Sequence, residues 1–453
     1  MSDVHGYIDQ NLPRFRAELF EFLRIPSVSA RREYQPEIRR AADWLAGKLR
    51  DLGLETSVEE TPGHPIVLAE WRGAAKSAPT VLIYGHYDVQ PAEPLELWTT
   101  PPFEPTVRDG RIYARGSVDD KGQLYLHVKA LEAHLRSNHK LPVNVILLAE
   151  GEEEVGSEHL MPFVRERVSR LKADAVVISD TTMVAPDVPT IGASLRGLAY
   201  FELEVFGPSH DLHSGTYGGG VLNPATALSR IVGSFHDDDW RITIKGFYDD
   251  VDPAPDFRAR IKELPFDDKK FLGETGSPKL VGERGQSTPE RLWLRPTVEV
   301  NGMLSGYTGE GSKTVLPAKA MAKVSCRLVP NQDPARIQKV FREHVQRVTP
   351  EGVRVDIKVL HGGRPWRARL QGPLYDAAAR ALERAFGRPP VYAGEGGSIP
   401  IVPEFEETLG APVLLMGFGL PGENAHAPDE WMSVECFEKG THAAAAVLAE
   451  LAG

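Results

Sequence analysis

The stretch "IYGHYD" closes an apolar run on His86 and Asp88, two positions apart. An imidazole and a carboxylate placed so could ligate a divalent cation, or could simply be hydrogen-bonded at a strand end. For His86 alone the second outcome is the commoner. The design recurs, however. "VNVILLAEGEEE" runs into Glu153 and Glu154, "ADAVVISD" into Asp180, and "PVLLMGFG" into a polar loop that holds His426. Asp119 stands just before a helical pattern, where a helix cap is an equal alternative. A glutamate triplet is by itself more often a solvated loop. Taken jointly, His86, Asp88, Asp119, Glu153, Glu154, Asp180 and His426 form a nitrogen-and-carboxylate set without sulfur, suited to zinc, manganese or cobalt. Carboxylates massed at one sheet edge repel one another unless a cation neutralises them. Two ions bridged by one carboxylate would use the set economically.

The elements that must position these residues follow from periodicity. Near-continuous runs of Val, Ile and Leu predict strands buried on both faces. Leu124, Val128, Leu131 and Leu135 recur at helical spacing after Asp119. Strand, helix and strand, with polar residues at the strand C-terminal ends, predict an α/β catalytic domain whose mostly parallel sheet is flanked by helices. From about Gly197 the texture changes. "LAYFELEVFG", "PTVEVNG" and "AKVSCRLVP" alternate as half-exposed strands do, and "GVLNPATALSRIVGSF" and "DPARIQKVFREHVQRV" read as amphipathic helices. An α+β domain over 195–368 is therefore expected as an insert in a catalytic domain made of 1–194 and 369–453. Segment 246–290, rich in Asp, Pro, Lys and Gly, is expected to be irregular.

At 453 residues the chain is too long for one simple core, in keeping with two domains. A net charge of −11 argues against nucleic acid or an anionic membrane as partner, since both recruit clustered Lys and Arg. Two cysteines, Cys326 and Cys436, exclude thiolate zinc sites by count and suit a reducing, cytoplasmic setting. "MSDVHGYIDQNLPRF" lacks the basic-then-apolar order of a signal peptide. Three rival chemistries fail on their own motifs. "GYTGEGSKT" interposes Ser312 before Lys313, unlike a phosphate-binding loop, "GGSIP" lacks the closing glycine of a nucleophile elbow, and no HExxH occurs.

"FLRIPSVS", "GHYDVQP", "ARGSVDDKG", "AEGEEEVGS", "VISD", "DLHSGTYGG", "GEGGSIP" and "GENAHAPDE" occur in that order. Together they resemble the motif set of the M20 metallopeptidases over nearly the whole chain. The resemblance implies His86 and Asp180 on one metal, His426 and Glu154 on the other, Asp119 as the bridge, and a cis bond between Asp119 and Asp120. It implies Asp88 as the partner that fixes the tautomer of His86, and Glu153 as the general base. It makes the insert a lid and dimerisation domain, with His213 reaching across from the other subunit of a homodimer to stabilise the oxyanion. His210 falls outside the motif position. "EGGSIP" and "SKTVLPAKAMAKVSCRLVPN" most resemble the carnosinase-type branch, where Thr314, Arg327 and Ser398 would meet the substrate carboxylate. Read alone, Arg327 is a strand-end surface arginine and Thr314 an ordinary sheet threonine. The implied activity is hydrolysis of dipeptides or short peptides with a free C-terminus, using two divalent ions, zinc foremost and manganese or cobalt next. The alternative within the family is an N-acyl amino acid deacylase. A non-catalytic relative would have no need of an intact Glu153 and a full ligand set.

Overall fold

A computed structural model describes residues 2–453. The chain forms two compact units, one of Met1–Ala193, Ala368–Ala393 and Ile401–Gly453, the other of Ser194–Arg367 and Gly394–Pro400. In chain order the first unit supplies helices α1 (Ser2–Leu23) and α2 (Gln35–Asp51), strands β1 (Glu55–Glu59), β2 (Ile66–Trp71) and β3 (Thr80–His86), helix α3 (Lys121–Asn138), and strands β4 (Asn144–Glu150) and β5 (Ala175–Ile178). Strand β6 (Thr190–Leu195) leads into the second unit, with β7 (Gly197–Phe206), α4 (Pro224–Gly233), β8 (Thr297–Ser305), β9 (Lys319–Leu328), α5 (Pro334–Val348) and β10 (Arg354–Gly363). The first unit resumes with α6 (Pro373–Phe386), β11 (Val413–Leu415) and α7 (Val434–Leu451).

In the main sheet of the first unit these strands are ordered β1-β2-β4-β3-β5-β11-β6. The middle of this sheet, β4-β3-β5-β11, is parallel. Its flanks are antiparallel, so the sheet as a whole is mixed. The parallel strands are buried on both faces, as their unbroken apolar runs require. Each fully buried Val, Leu or Ile there contributes about 1.5–3 kcal/mol relative to exposure. Helix α3 is buried from Lys121 to His134, its polar side chains included.

The second unit carries an antiparallel sheet ordered β8-β9-β7-β10. Phe201, Leu203 and Val205 of β7 face the core with Leu228 of α4 and Phe341 of α5. The Phe201 and Phe341 rings stack 4.0 Å apart. Segment 246–290 is more ordered than its composition suggests. Helices form at Pro255–Lys262, Asp268–Thr275 and Thr288–Trp293, the last opened by a capping box of Ser287 and Glu290. Gly394–Pro400 lies in the second unit because Arg196 binds it. The Arg196 N–H donates to Gly397 O at 3.1 Å and Nε to Gly396 O at 2.8 Å. Among the described residues no helix is long and apolar enough to cross a membrane.

Candidate metal centre

Strand β3 delivers His86 to the sheet edge fully buried. The site needs the neighbouring residue to be glycine, because a Cβ on Gly85 would lie 2.7 Å from Asp120 Oδ2. That same oxygen accepts the His86 N–H at 3.1 Å and ties the strand end to the loop before α3. The turn after His86 is braced by the N-terminal motif, for the Val89 N–H donates to Ser27 O and Ser27 Oγ donates to Tyr87 O. Lys121, fully buried, donates to Phe22 O at 3.1 Å and Ile25 O at 2.6 Å. "FLRIPSVS" thus supports two ligand-bearing loops and supplies no ligand itself.

The Asp119 loop is held by a residue far along the chain. Glu430, with no exposed surface, accepts from Arg115 Nη1 at 2.7 Å and from the N–H groups of Gly116, Val118 and Asp119 at 2.9, 3.0 and 3.2 Å. The Asp119–Asp120 peptide bond is cis. Asp119 does not cap α3: Asp120 occupies the N-cap position and makes no capping hydrogen bond. The Asp119 carboxylate instead lies between two imidazoles. His86 Nε2 is 3.1 Å from Oδ1 and His426 Nε2 is 2.8 Å from Oδ2. Asp180 Oδ2 is 4.0 Å from His86 Nε2, and Glu154 Oε2 is 3.2 Å from His426 Nε2. Two donor groups result, His86–Asp119–Asp180 and Asp119–Glu154–His426, each with ligand atoms within 4.8 Å of one another. They share Asp119. His426 sits on a loop where Asn424, His426 and Asp429 all adopt positive φ, a costly conformation outside glycine that turns the ring back toward Asp119.

Asp88 is fully buried and its carboxylate accepts the Glu153 and Glu154 N–H groups at 3.2 and 3.1 Å. His86 Nδ1 lies 3.1 Å from the backbone oxygen of Asp88 and 3.4 Å from its carboxylate. The carboxylate therefore acts mainly on the glutamate turn, and the backbone oxygen on the imidazole. Gln90, unremarked in the sequence although inside "GHYDVQP", donates from Nε2 to Glu154 Oε2 at 2.7 Å. Behind the turn, Glu150 accepts from Tyr84 and Ser157 at 2.6 and 2.8 Å.

The electrostatics fit a cation. Burial lifts the Asp180 carboxyl well above the usual range, and the charges of Asp120 and Asp119 add to the effect. Burial pushes Glu153 up to about 7, with Glu154, Asp119 and Asp88 adding and His86 opposing. For His86, burial opposes the charged form, but its hydrogen bonds to Asp119 and Asp88 prevail and raise its pKa. Hydrogen bonds to Asp119 and then Glu154 carry His426 up to about 10. Asp119 moves the opposite way: burial disfavours its charge, yet hydrogen bonds from His426 and His86 hold it below the carboxylate range. Both imidazoles turn Nε2 toward Asp119, where a divalent ion could stand between nitrogen and carboxylate, so the donor set suits a pair of metal ions.

The remaining predicted residues lie in the second unit. His213 Nδ1 accepts the Gly215 and Thr216 N–H groups at 3.1 and 3.2 Å, which puts the ring proton on Nε2 at an exposed position. Thr314 is adjacent, its carbonyl accepting the Ser214 N–H at 3.0 Å. Arg327 and Ser398 form a second pair, with Nη1 donating to Oγ at 3.0 Å. Ser398 Oγ donates to Arg196 O at 2.5 Å. His210 is exposed and lies 3.0 Å from Ser209 Oγ.

Residues 82–450 match a sequence profile described as Peptidase family M20/M25/M40. The chain is 34% identical to the Cys-Gly metallodipeptidase dug1 of Schizosaccharomyces pombe, over 97% of this chain and 96% of that one. It is 30% identical to the Beta-Ala-His dipeptidase of Homo sapiens, over 100% and 93% respectively. The solved structure of an M20 family metallo-carboxypeptidase from Sulfolobus solfataricus superposes with a TM-score of 0.86 at 34% identity, covering 97% of this chain and 99% of that one. With a profile match through both halves of the donor set and relatives similar over their whole length, the chain belongs to peptidase family M20/M25/M40.

Proposed function

We propose that the protein is a dinuclear metal-dependent dipeptidase acting on dipeptides or short peptides with a free C-terminus. The observation that carries this reading is the pair of donor groups sharing Asp119, with the Glu153–Glu154 turn tied to Asp88 beside them. His86, Asp119 and Asp180 would hold one ion, and Asp119, Glu154 and His426 the other. Divalent ions there supply Lewis acidity toward the scissile carbonyl and acidify a water. We assign Glu153, which belongs to neither donor group, as the base that takes the proton from the attacking water and returns it to the leaving amine. Burial raises its affinity for a proton. The exposed Nε2–H of His213 is a suitable donor to the developing oxyanion, supplied from the second subunit of a homodimer. Arg327 would pair with the substrate carboxylate, with Thr314 beside His213. The second unit is then the lid and dimerisation domain.

The names of the relatives support this substrate class, since they describe dipeptidases of Cys-Gly and Beta-Ala-His. Zinc is the ion we assign first, with manganese and cobalt next, on the nitrogen-and-oxygen donor set. Two buried free cysteines suit a reducing compartment such as the cytoplasm. Metal-free protein reloaded with zinc, manganese or cobalt should be screened against dipeptides, their C-terminal amides and N-acyl amino acids. Hydrolysis of free dipeptides above the other two classes is expected. Preference for N-acyl amino acids would replace the dipeptidase reading with a deacylase.

A further inference from the structure

Gln90 is joined to one member of one donor group. Its Nε2 donates to Glu154 Oε2 at 2.7 Å and to the Glu154 backbone oxygen at 3.3 Å. A carboxylate and a carbonyl only accept, so the NH2 end of the amide must face them and the pairing has one orientation. Oε2 is also the Glu154 oxygen that lies 3.2 Å from His426 Nε2, so Gln90 holds the atom that would meet an ion in that group. The Glu154 side chain is only 3% exposed, which leaves little water to replace the amide. Both hydrogen bonds of the Gln90 side chain go to Glu154, and neither reaches His86 or Asp180.

The backbone on either side of Gln90 gives the amide little freedom. Val89 before it forms a parallel bridge with Val28, and its N–H donates to Ser27 O at 2.9 Å. Pro91 after it accepts from Arg115 Nη2 at 3.3 Å. The same Nη2 donates to Ala427 O at 3.2 Å, one residue past His426. Arg115 Nη1 pairs with Glu430, which in turn receives the Asp119 N–H. One buried guanidinium thus joins the segments that bear on Asp119, on His426 and, through Gln90, on Glu154. That connected set steers all three members of one donor group, whereas His86 ends strand β3 and Asp180 follows strand β5.

We propose that Gln90 is a positioning residue for the Asp119–Glu154–His426 group: its amide fixes the ligating oxygen of Glu154 and so sets the affinity of one metal ion apart from that of the other. This rests on the dinuclear reading for the identity of the ligand, and it is testable without hydrolysis. The metal-free full chain is titrated calorimetrically with zinc as wild type, Gln90→Met, Glu154→Gln and the double variant. Glu154→Gln marks which class of site belongs to its group. Gln90→Met, of similar length but with no N–H to give, should weaken that same class roughly tenfold or more and leave the other unchanged. On the Glu154→Gln background the Gln90 change should cost far less, because the charge-assisted bond is already gone. Arg115 is left intact, since Arg115→Met would strand Glu430 as a buried charge without its cation. Equal weakening of both classes by Gln90→Met would show that Gln90 acts on the fold at large and overturns the proposal, as does an equal loss with and without Glu154. Two zinc classes in the wild type and the same two affinities in Gln90→Met overturn the role of Gln90 alone. A wild type with a single class overturns the dinuclear reading and this role with it.

Discussion

Asp88→Asn separates two ways in which this carboxylate could serve the metal centre. As a partner of His86 it would chiefly tune the His86–Asp119–Asp180 group. The geometry argues otherwise: Asp88 meets His86 Nδ1 through its backbone oxygen at 3.1 Å, which the substitution leaves in place, and through its carboxylate only at 3.4 Å. Both carboxylate oxygens instead receive N–H groups, from Glu153 and Glu154. Asparagine keeps one acceptor and points an NH2 group at the other N–H. One charge-assisted hydrogen bond is lost, about 1.5–3 kcal/mol, in a site that excludes water to replace it. Carried through Glu154, that is a loss of roughly 10–100-fold in affinity at the Asp119–Glu154–His426 group. Calorimetric titration of metal-free protein with zinc should show one class of site weakened and the other nearly unchanged. Equal weakening of both classes would overturn a role of Asp88 through Glu154, and weakening confined to the group without Glu154 would restore His86 as its target.

Glu153→Gln should lose activity by roughly 10²–10⁴-fold while retaining two ions by metal analysis, since it removes a proton acceptor and no ligand. Metal binding should weaken as pH falls, because His86 and His426 must give up protons; calorimetry in buffers of different ionisation enthalpy should detect their release at neutral pH. In metal-free protein the His426 pairing has the opposite sign for stability: its folded pKa, about 10, lies above the unfolded value, so its contribution is complete below the unfolded pKa of about 6.5 and is lost as pH rises through the folded one. Chelator-treated protein followed by chemical denaturation should show that loss on the alkaline side. Mixing Glu153→Gln with His213→Ala protein should restore activity after subunit exchange if His213 acts across a homodimer, and none if it acts within its own chain.

The strand ends were legible because each parallel strand is an unbroken apolar run whose first polar residues mark its C-terminal edge. His86 and Asp180 follow directly from that rule, and Glu154 follows with a short turn between. Glu430 was not legible as a support for the Asp119 loop. It is a single loop glutamate whose donors lie more than three hundred residues earlier, and no local period encodes such a contact. Gln90 was hidden by the stronger residues beside it. Strand β10 is not legible in the sequence because much of it is exposed and its polar residues blur the alternation. The helices of segment 246–290 were obscured by proline, yet Pro255 and Pro289 sit in first turns, where proline is well tolerated, and Ser287 with Glu290 is a readable capping box. How the serine of "GEGGSIP" spends its proton could not be read from residue types, because it depends on a backbone oxygen.

The place of β11 has a consequence for how the protein is made. Val413–Leu415 pairs with β5 on one side and β6 on the other, so the interior of the first sheet stays open until the second unit and α6 have been synthesised. His86, Asp119 and Asp180 emerge from the ribosome early, but His426 and the Glu430 that braces the Asp119 loop emerge only after the second unit. A growing or truncated chain ending before Val413 would present the unpaired edges of β5 and β6, which are prone to aggregate. The segment from Val413 onward thus closes the sheet and completes the donor set in one step, which denies a half-made protein both a finished core and a working centre.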